Sequence, residues 1–275
     1  MSLSFLDTVH IGIHADGVVL TRMQPFFKGR ILERTVEAVP QGVADLASGG
    51  PVLDLLAERL KDSRWHGAMT RILVSNVLVR YAVIPAGSQL LEAEDEVALA
   101  RLKFQQVHGG ALADWEVRLG GLLSGKDQVA AAFERVWLDR LRAILGAARL
   151  RVRSIEPLLM RAFNRSRGRI KGSSFWFAHA EPDLLMLARV QDGNWVSLTG
   201  TQLQSPLARV LPAQVREARL LEGGSDSPRR IYLCAHGLDC DGIDPGADIE
   251  LVDVAKSRLL RYTTAECSLG LALGG

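Results

Sequence analysis

Several stretches of this sequence carry side chains whose types and spacing could do chemistry. Gly120-Gly121-Leu122-Leu123-Ser124-Gly125-Lys126-Asp127 matches the G-x-x-x-x-G-K part of a phosphate-binding loop, in which backbone N–H groups and a lysine cradle phosphates. It lies between an alternating segment and an amphipathic one, the right context for such a loop. The residue after the lysine must offer a hydroxyl to Mg²⁺, however, and Asp127 places a negative charge there. The stretch therefore reads as a glycine-rich turn with Asp127 near a helix N-terminus, where a carboxylate is favoured. Cys234, His236, Asp239 and Cys240 resemble a ligand set, but zinc sites use a second cysteine pair and none follows. Cys234 reads as a small buried residue ending a strand. His10 and His14 lie four apart on one predicted strand, facing the same side, with no third ligand near in sequence. No serine sits in a nucleophile elbow, so acyl transfer has no candidate nucleophile.

Between Arg149 and Lys171 stand eight basic residues and a single acid, Glu156. Arg149, Arg151 and Arg153 alternate as on one face of a strand. Arg165, Arg167, Arg169 and Lys171 follow in a polar segment. The stretch fits a solvated surface and equally a patch attracted to anionic headgroups or an acidic partner. It also suits nucleic acid, but no recognition helix or aromatic-interleaved motif accompanies it.

The elements that must position these residues are those of an ordinary globular chain. The 275 residues are 48% apolar and 23% charged, with a net charge of +2, which argues against disorder and does not itself call for nucleic acid. No apolar run approaches the roughly 18 residues of a membrane span. Met1 to Asp7 lacks the basic and apolar regions of a signal peptide. Cys234, Cys240 and Cys267 are too few and odd in number for a disulfide framework. The expectation is a cytoplasmic protein whose membrane role, if any, is peripheral.

Thr8–Ile13, Val18–Met23 and Arg30–Val36 predict a three-stranded meander turning at Asp16-Gly17 and near Lys28-Gly29. Val52–Lys61 has helical spacing. Arg71–Pro85 predicts a buried strand, or a strand pair broken at Asn76. Leu90–His108 predicts a helix, Trp115–Leu119 a strand, Asp127–Leu145 a long amphipathic helix, Arg149–Ile155 a strand and Pro157–Arg165 a helix. The polar segment Arg165–Gly172 predicts a domain boundary, with a first domain of residues 1–165 (an inserted subdomain around 71–155) and a second of 172–275. The second half predicts strands at Phe175–Ala178, Leu184–Val190 and Trp195–Thr199, a helix near Pro206–Leu221, strands at Ile231–Cys234 and Ile249–Val252, and a helical tail. His14-Ala15-Asp16-Gly17-Val18 and His179-Ala180-Glu181-Pro182-Asp183 occupy the same place in two strand-turn-strand units. The fold class expected is therefore α/β, an actin-like (ribonuclease H-like) duplication with a cleft between its halves.

Three further stretches carry a family likeness. Asn76-Val77-Leu78-Val79-Arg80-Tyr81-Ala82-Val83-Ile84-Pro85 runs into an acidic helix and Phe104-Gln105-Gln106-Val107-His108-Gly109. The helix to Leu145 continues as Gly146-Ala147-Ala148-Arg149-Leu150 and reaches Ser154-Ile155-Glu156-Pro157. The chain closes on Ser268-Leu269-Gly270-Leu271-Ala272-Leu273-Gly274. In this order they resemble the PilM family of type IV pilus biogenesis and, more distantly, the cytoplasmic domain of the type II secretion protein GspL. The likeness spans almost the whole chain and rests on the order of the pieces. It implies a protein on the cytoplasmic face of the inner membrane, docked on the cytoplasmic N-terminal peptide of a PilN-like single-pass membrane partner, with an assembly ATPase as a further partner. Asn76, Arg80 and Tyr81, in the first stretch, are candidate partner-binding residues.

Actin-like nucleotide sites use one phosphate-binding hairpin per domain. Here His14 stands where the first metal-facing aspartate is expected, and His179 stands at the equivalent place with Glu181 and Pro182 in the turn. Proline has no N–H to donate, and carboxylates repel phosphate. The adenosine-side cluster reads Cys234-Ala235-His236-Gly237, with one glycine. Gly12, His14, Asp16, Gly17, His179, Glu181 and Gly237 thus form a vestigial nucleotide site. The expectation is a non-catalytic scaffold with no cofactor. The alternatives are an actin-superfold ATP-binding protein or weak ATPase using ATP with Mg²⁺, and a nucleic-acid-binding protein using residues 149–171.

Overall fold

The computed structural model describes residues 7–24, 31–40, 49–85, 93–109, 114–120, 127–221, 227–235, 238–246 and 249–254. Its first half opens with β1 (Thr8–His14), β2 (Gly17–Met23) and β3 (Ile31–Ala38), an antiparallel meander. Helix α1 (Gly50–Arg59) leads to β4 (Met69–Val74), parallel to β1. A single 3-10 turn at Asn76–Leu78 then takes the chain out of that sheet into β5 (Arg80–Ile84). Of the two readings of Arg71–Pro85, the strand pair is the one that forms, and its strands belong to different sheets.

Helix α2 (Ala93–His108), β6 (Trp115–Leu119) and β7 (Gln128–Glu134) follow, with β7 between β5 and β6 in a three-stranded antiparallel sheet. Helix α3 (Arg135–Ala147) and β8 (Arg151–Pro157) complete the half, giving a main sheet of order β3-β2-β1-β4-β8. The expected single helix over Asp127–Leu145 is therefore corrected to a strand followed by a helix. Ala130 and Ala132 face the core beneath α2, while Ala131 and Phe133 join the core beneath α1 and α3. A strand buried on both faces loses its period-2 signature, and its alanines read as helix formers.

The second half repeats the plan. After α4 (Leu158–Ser166) come β9 (Phe175–Ala180), β10 (Leu184–Gln191), β11 (Asn194–Gln202), α5 (Leu207–Leu221), β12 (Arg230–Ala235) and β13 (Glu250–Asp253). Their order, β11-β10-β9-β12-β13, is the first sheet's order again, with the same parallel and antiparallel neighbours. Leu207, Leu211 and Val215 of α5 cover one face. On the other, Leu159, Ala162 and Phe163 of α4 pack on Phe175 and Phe177, while Leu158 reaches back to Val19 and Leu73 of the first sheet. Helix α4 is thus gripped by both halves. The near phosphate-loop at 121–126, His236, Gly237, Cys267 and the expected C-terminal helix lie outside the described residues.

One close approach joins α1 to α3. Gly49, just before α1, has φ +65, and the Trp137 indole N–H donates to its carbonyl at 3.1 Å. A Cβ at Gly49 would stand 2.5 Å from Trp137 Nε1. Gly49→Ala is expected to destabilise the protein by about 2 kcal/mol or more, read as a lower denaturant midpoint. An unchanged midpoint would mean that this seam tolerates a side chain.

Candidate functional site

The two hairpins β1–β2 and β9–β10 point their turns at one another. In the first, His14 and Gly17 close a two-residue turn at Ala15-Asp16. In the second, Glu181 and Leu184 bond to each other across Pro182-Asp183. The bond just past the end of the third strand is also shared: Val39 N–H, after β3, donates to Asp16 O, and Leu203 N–H, after β11, to Asp183 O, at 2.6 and 2.8 Å. By geometry His14 therefore corresponds to Glu181 and Asp16 to Asp183. Gly12 is the counterpart of His179, two residues away from the sequence pairing of His14 with His179.

His14 is 2% exposed and lies between carboxylates from both hairpins. Its Nδ1–H donates to Asp16 Oδ1 at 2.5 Å, and its Nε2–H donates to Asp183 Oδ1 at 3.2 Å. Glu181 Oε2 stands 3.9 Å from Nε2. With both ring nitrogens donating, the imidazole is a cation. Burial opposes that charge, but the bonds to Asp16 and Asp183 outweigh it and lift the His14 pKa to about 10. The Asp183 carboxyl, resisted by its own partial burial, is held below its usual range by the bond to His14.

Glu181 is fully buried and crosses to the first half. It accepts from Ser75 Oγ, from the Asn76 N–H at 3.0 Å and from Asn76 Nδ2 at 2.5 Å. Burial drives its pKa up, while the His14 charge and the bonds from Ser75 and the Asn76 backbone oppose the rise. Asn76 uses all four of its side-chain bonds. Nδ2 also donates to His179 Nδ1 at 3.1 Å, and Oδ1 accepts from the Tyr81 hydroxyl and from the Leu159 N–H at 3.0 Å. Burial, and then the Glu181 charge, push the Tyr81 phenol well above its ordinary value. Ser75 N–H donates to Ile13 O at 2.8 Å, so the network sits at the carboxyl ends of parallel β1 and β4, where α/β sheets commonly bind ligands.

The structure thus brings His14, Asp16, Glu181, His179, Asn76 and Tyr81 together, with Gly12 and Gly17 in the strands behind them. Asn76 is 2% exposed, and it and Tyr81 serve this interior network. Arg80 is on the surface, its guanidinium 5.8 Å from the Trp115 ring centroid. Ser75 and Asp183 were not singled out by the sequence. Aligning the two turns, rather than the two histidines, would have found Asp183. The basic stretch divides: Arg149, Arg151 and Arg153 lie exposed at β8, an edge of the first sheet. Arg165, Arg167, Arg169 and Lys171 lie exposed around the end of α4, where Arg169 donates to Val254 O at 2.6 Å.

Beside that edge runs a groove of about 490 Å³ between β8, α3 and the small sheet. Phe133, Leu138, Leu150, Val152 and Ile155 give it an apolar floor. On its rim Glu116 accepts two bonds from Arg142, both at 3.0 Å. Among the described residues β6 and β8 are edges of their sheets, where a further strand can add.

Neither a protein-family model nor a curated protein sequence matches the chain. Solved structures do. A PilM-PilN type IV pilus biogenesis complex aligns with TM-score 0.61 at 12% identity, over 90% of this chain and 88% of the other. A Bacteroides thetaiotaomicron protein of actin-like ATPase fold and unknown function aligns with TM-score 0.55 at 12% identity, over 84% and 83%. The cytoplasmic domain of EpsL, an inner-membrane component of the Vibrio cholerae type II secretion system, aligns with TM-score 0.54 at 9% identity, over 96% and 93%. The chain has an actin-like ATPase fold. In that fold the paired hairpins are the β1–β2 and β9–β10 units, and among the described residues no helix is long and apolar enough to cross a membrane.

The His14 proton stabilises the actin-like fold because the folded pKa, about 10, exceeds the ordinary 6.5. That stabilisation is complete below about pH 6.5 and is lost as pH rises through about 10. Wild type is expected to lose melting temperature more steeply than His14→Gln between neutral pH and about pH 10. Parallel curves for the two proteins would mean that His14 carries no such charge.

Proposed function

We propose that this chain is a non-catalytic scaffold of a pilus or secretion assembly platform at the cytoplasmic face of a membrane, holding a short cytoplasmic peptide of a membrane partner. The observation that carries the reading is the bonding of the two hairpins to each other through buried side chains. An enzyme of this superfold needs phosphates and a metal between those hairpins, with carboxylates on the metal and N–H groups on the phosphates. Here a histidine cation fills the gap between them, its charge matched by Asp16 and Asp183. Pro182 in the second turn has no N–H to offer. We take residues 1–165 and 172–275 as the two domains, with α4 as the element they share.

The groove between β8 and the small sheet is the place for the peptide. An extended segment can add to a sheet edge with its backbone and seat alternate side chains on the apolar floor. Exposed Arg149, Arg151 and Arg153 beside it favour acidic residues in the segment. The PilM-PilN and EpsL neighbours support this kind of partner through the fold they share.

Calorimetric titration with Mg-ATP at near-physiological salt is expected to give no heat up to millimolar nucleotide. Micromolar binding would overturn the scaffold reading and return an ATPase to the front. A PilN-like cytoplasmic peptide is expected to bind wild type and to bind Val152→Glu at least about tenfold more weakly, because a carboxylate would enter the apolar floor. Val152 is 44% exposed, so the melting temperature of that variant should stay near wild type. Equal affinities would move the peptide elsewhere.

A further inference from the structure

The face of the first sheet turned away from α1 and α3 carries a row of polar side chains that neither the hairpin network nor the groove uses. In register across the strands stand Arg34 on β3, Thr21 on β2, His10 on β1, Arg71 on β4 and Ser154 on β8. Neighbouring strands are about 4.8 Å apart, so Thr21, His10 and Arg71 fall within about 10 Å. On the next rung Leu158 of α4 packs on Val19 and Leu73. One helical turn later α4 carries Arg161, whose charge, like that of Arg71, acts on His10.

Within the row, Thr21 and Arg71 are donors short of acceptors among the described residues. Among the described residues Glu156 is an acid nearby, and it accepts from Ser154 Oγ at 2.5 Å and stands 3.7 Å from Arg161. The Arg71 guanidinium has no hydrogen bond or ion pair among the described residues. Thr21 is 1% exposed, and its hydroxyl has no hydrogen-bond partner among the described residues. Buried hydroxyls are ordinarily paired, and guanidinium groups gathered on a half-buried face are ordinarily neutralised. Both deficits are met by one ligand that brings negative oxygens.

We propose that this row is a binding site for a small phosphate-type oxyanion, held by the Arg71 and Arg161 guanidinium groups with the Thr21 hydroxyl and the His10 ring N–H as further donors. Planar guanidinium forks bind phosphate in a bidentate manner. A terminal phosphate offers three oxygens, enough to meet donors arriving from β2, β1 and β4 below and from α4 above. His10 suits the neutral donor role: burial, then Arg71 and Arg161, push its pKa down to about 4. An anion seated between those arginines would reverse the local field and raise that pKa, with Arg34, Thr21, Ser154, Glu156 and Arg161 the other polar groups facing the ring. The site lies on the same sheet face as His14, four residues back along β1.

The test is an NMR titration of the His10 ring in the full chain with inorganic phosphate, at constant ionic strength held with chloride. Saturation at millimolar phosphate is expected, with the His10 pKa rising by at least about one unit. Arg71→Gln should lose the response without a lower melting temperature, since it relieves repulsion. Thr21→Val, which keeps the shape and removes the hydroxyl, should weaken binding at least about threefold. A linear response equal to that of chloride, no response, or a response retained in Arg71→Gln would overturn the proposal. So would a response to phosphatidylglycerol vesicles with none to free phosphate, which would make the face a membrane contact.

Discussion

A buried charge must be matched where it sits, and in this molecule the match for one half lies on the other. His14 belongs to the first sheet, yet one of its two carboxylate bonds comes from Asp183 of the second hairpin. Glu181 belongs to the second half, yet Ser75 and Asn76 at the end of β4 supply its donors. Separating the halves would take one of the two carboxylates from the His14 imidazolium and every crossing donor from the buried Glu181 carboxyl, at a cost of several kcal/mol. Pulling the hairpins apart to admit phosphates would incur the same cost. The arrangement of the two sheets, the position of α4 and the closed state of the cleft all depend on this one exchange of partners.

The duplication explains how the exchange is built. Two sheets of one topology present equivalent hairpins, and the equivalence extends to the bond from just past the third strand back to the turn. The sequences filling the equivalent positions have diverged in a complementary way, with His14 where the second half has Glu181. A symmetric pair of carboxylates facing one another would repel and could share a metal. A histidine opposite a glutamate attracts and needs none.

Much of this was legible in the sequence. The two meanders, the helices after them and the duplicated plan follow from period-2 and period-3.6 patterns bounded by Asp, Gly and Pro. His14, His179, Glu181, Asn76 and Tyr81 were all marked, though for separate reasons. The register of the second hairpin was not legible, because two histidines two and four residues from their aspartates look alike in a list of letters. Only the bond between Glu181 and Leu184 places the turn. The strand at Gln128–Glu134 was hidden by its burial between two other strands. The sharing of Asn76 among four partners was out of reach, since those partners lie far apart along the chain.

That hidden strand has a mechanical consequence. β7 ends at Glu134 and α3 begins at Arg135, so the middle strand of the small sheet passes into the helix that packs against α1 with no slack between them. The small sheet is therefore not a lid on a flexible strap. It is one arm of a crank whose other arm is α3, with the Trp137–Gly49 contact as the bearing. Any load on the small sheet, including one applied across the groove, is delivered as torque to the interior of the first half.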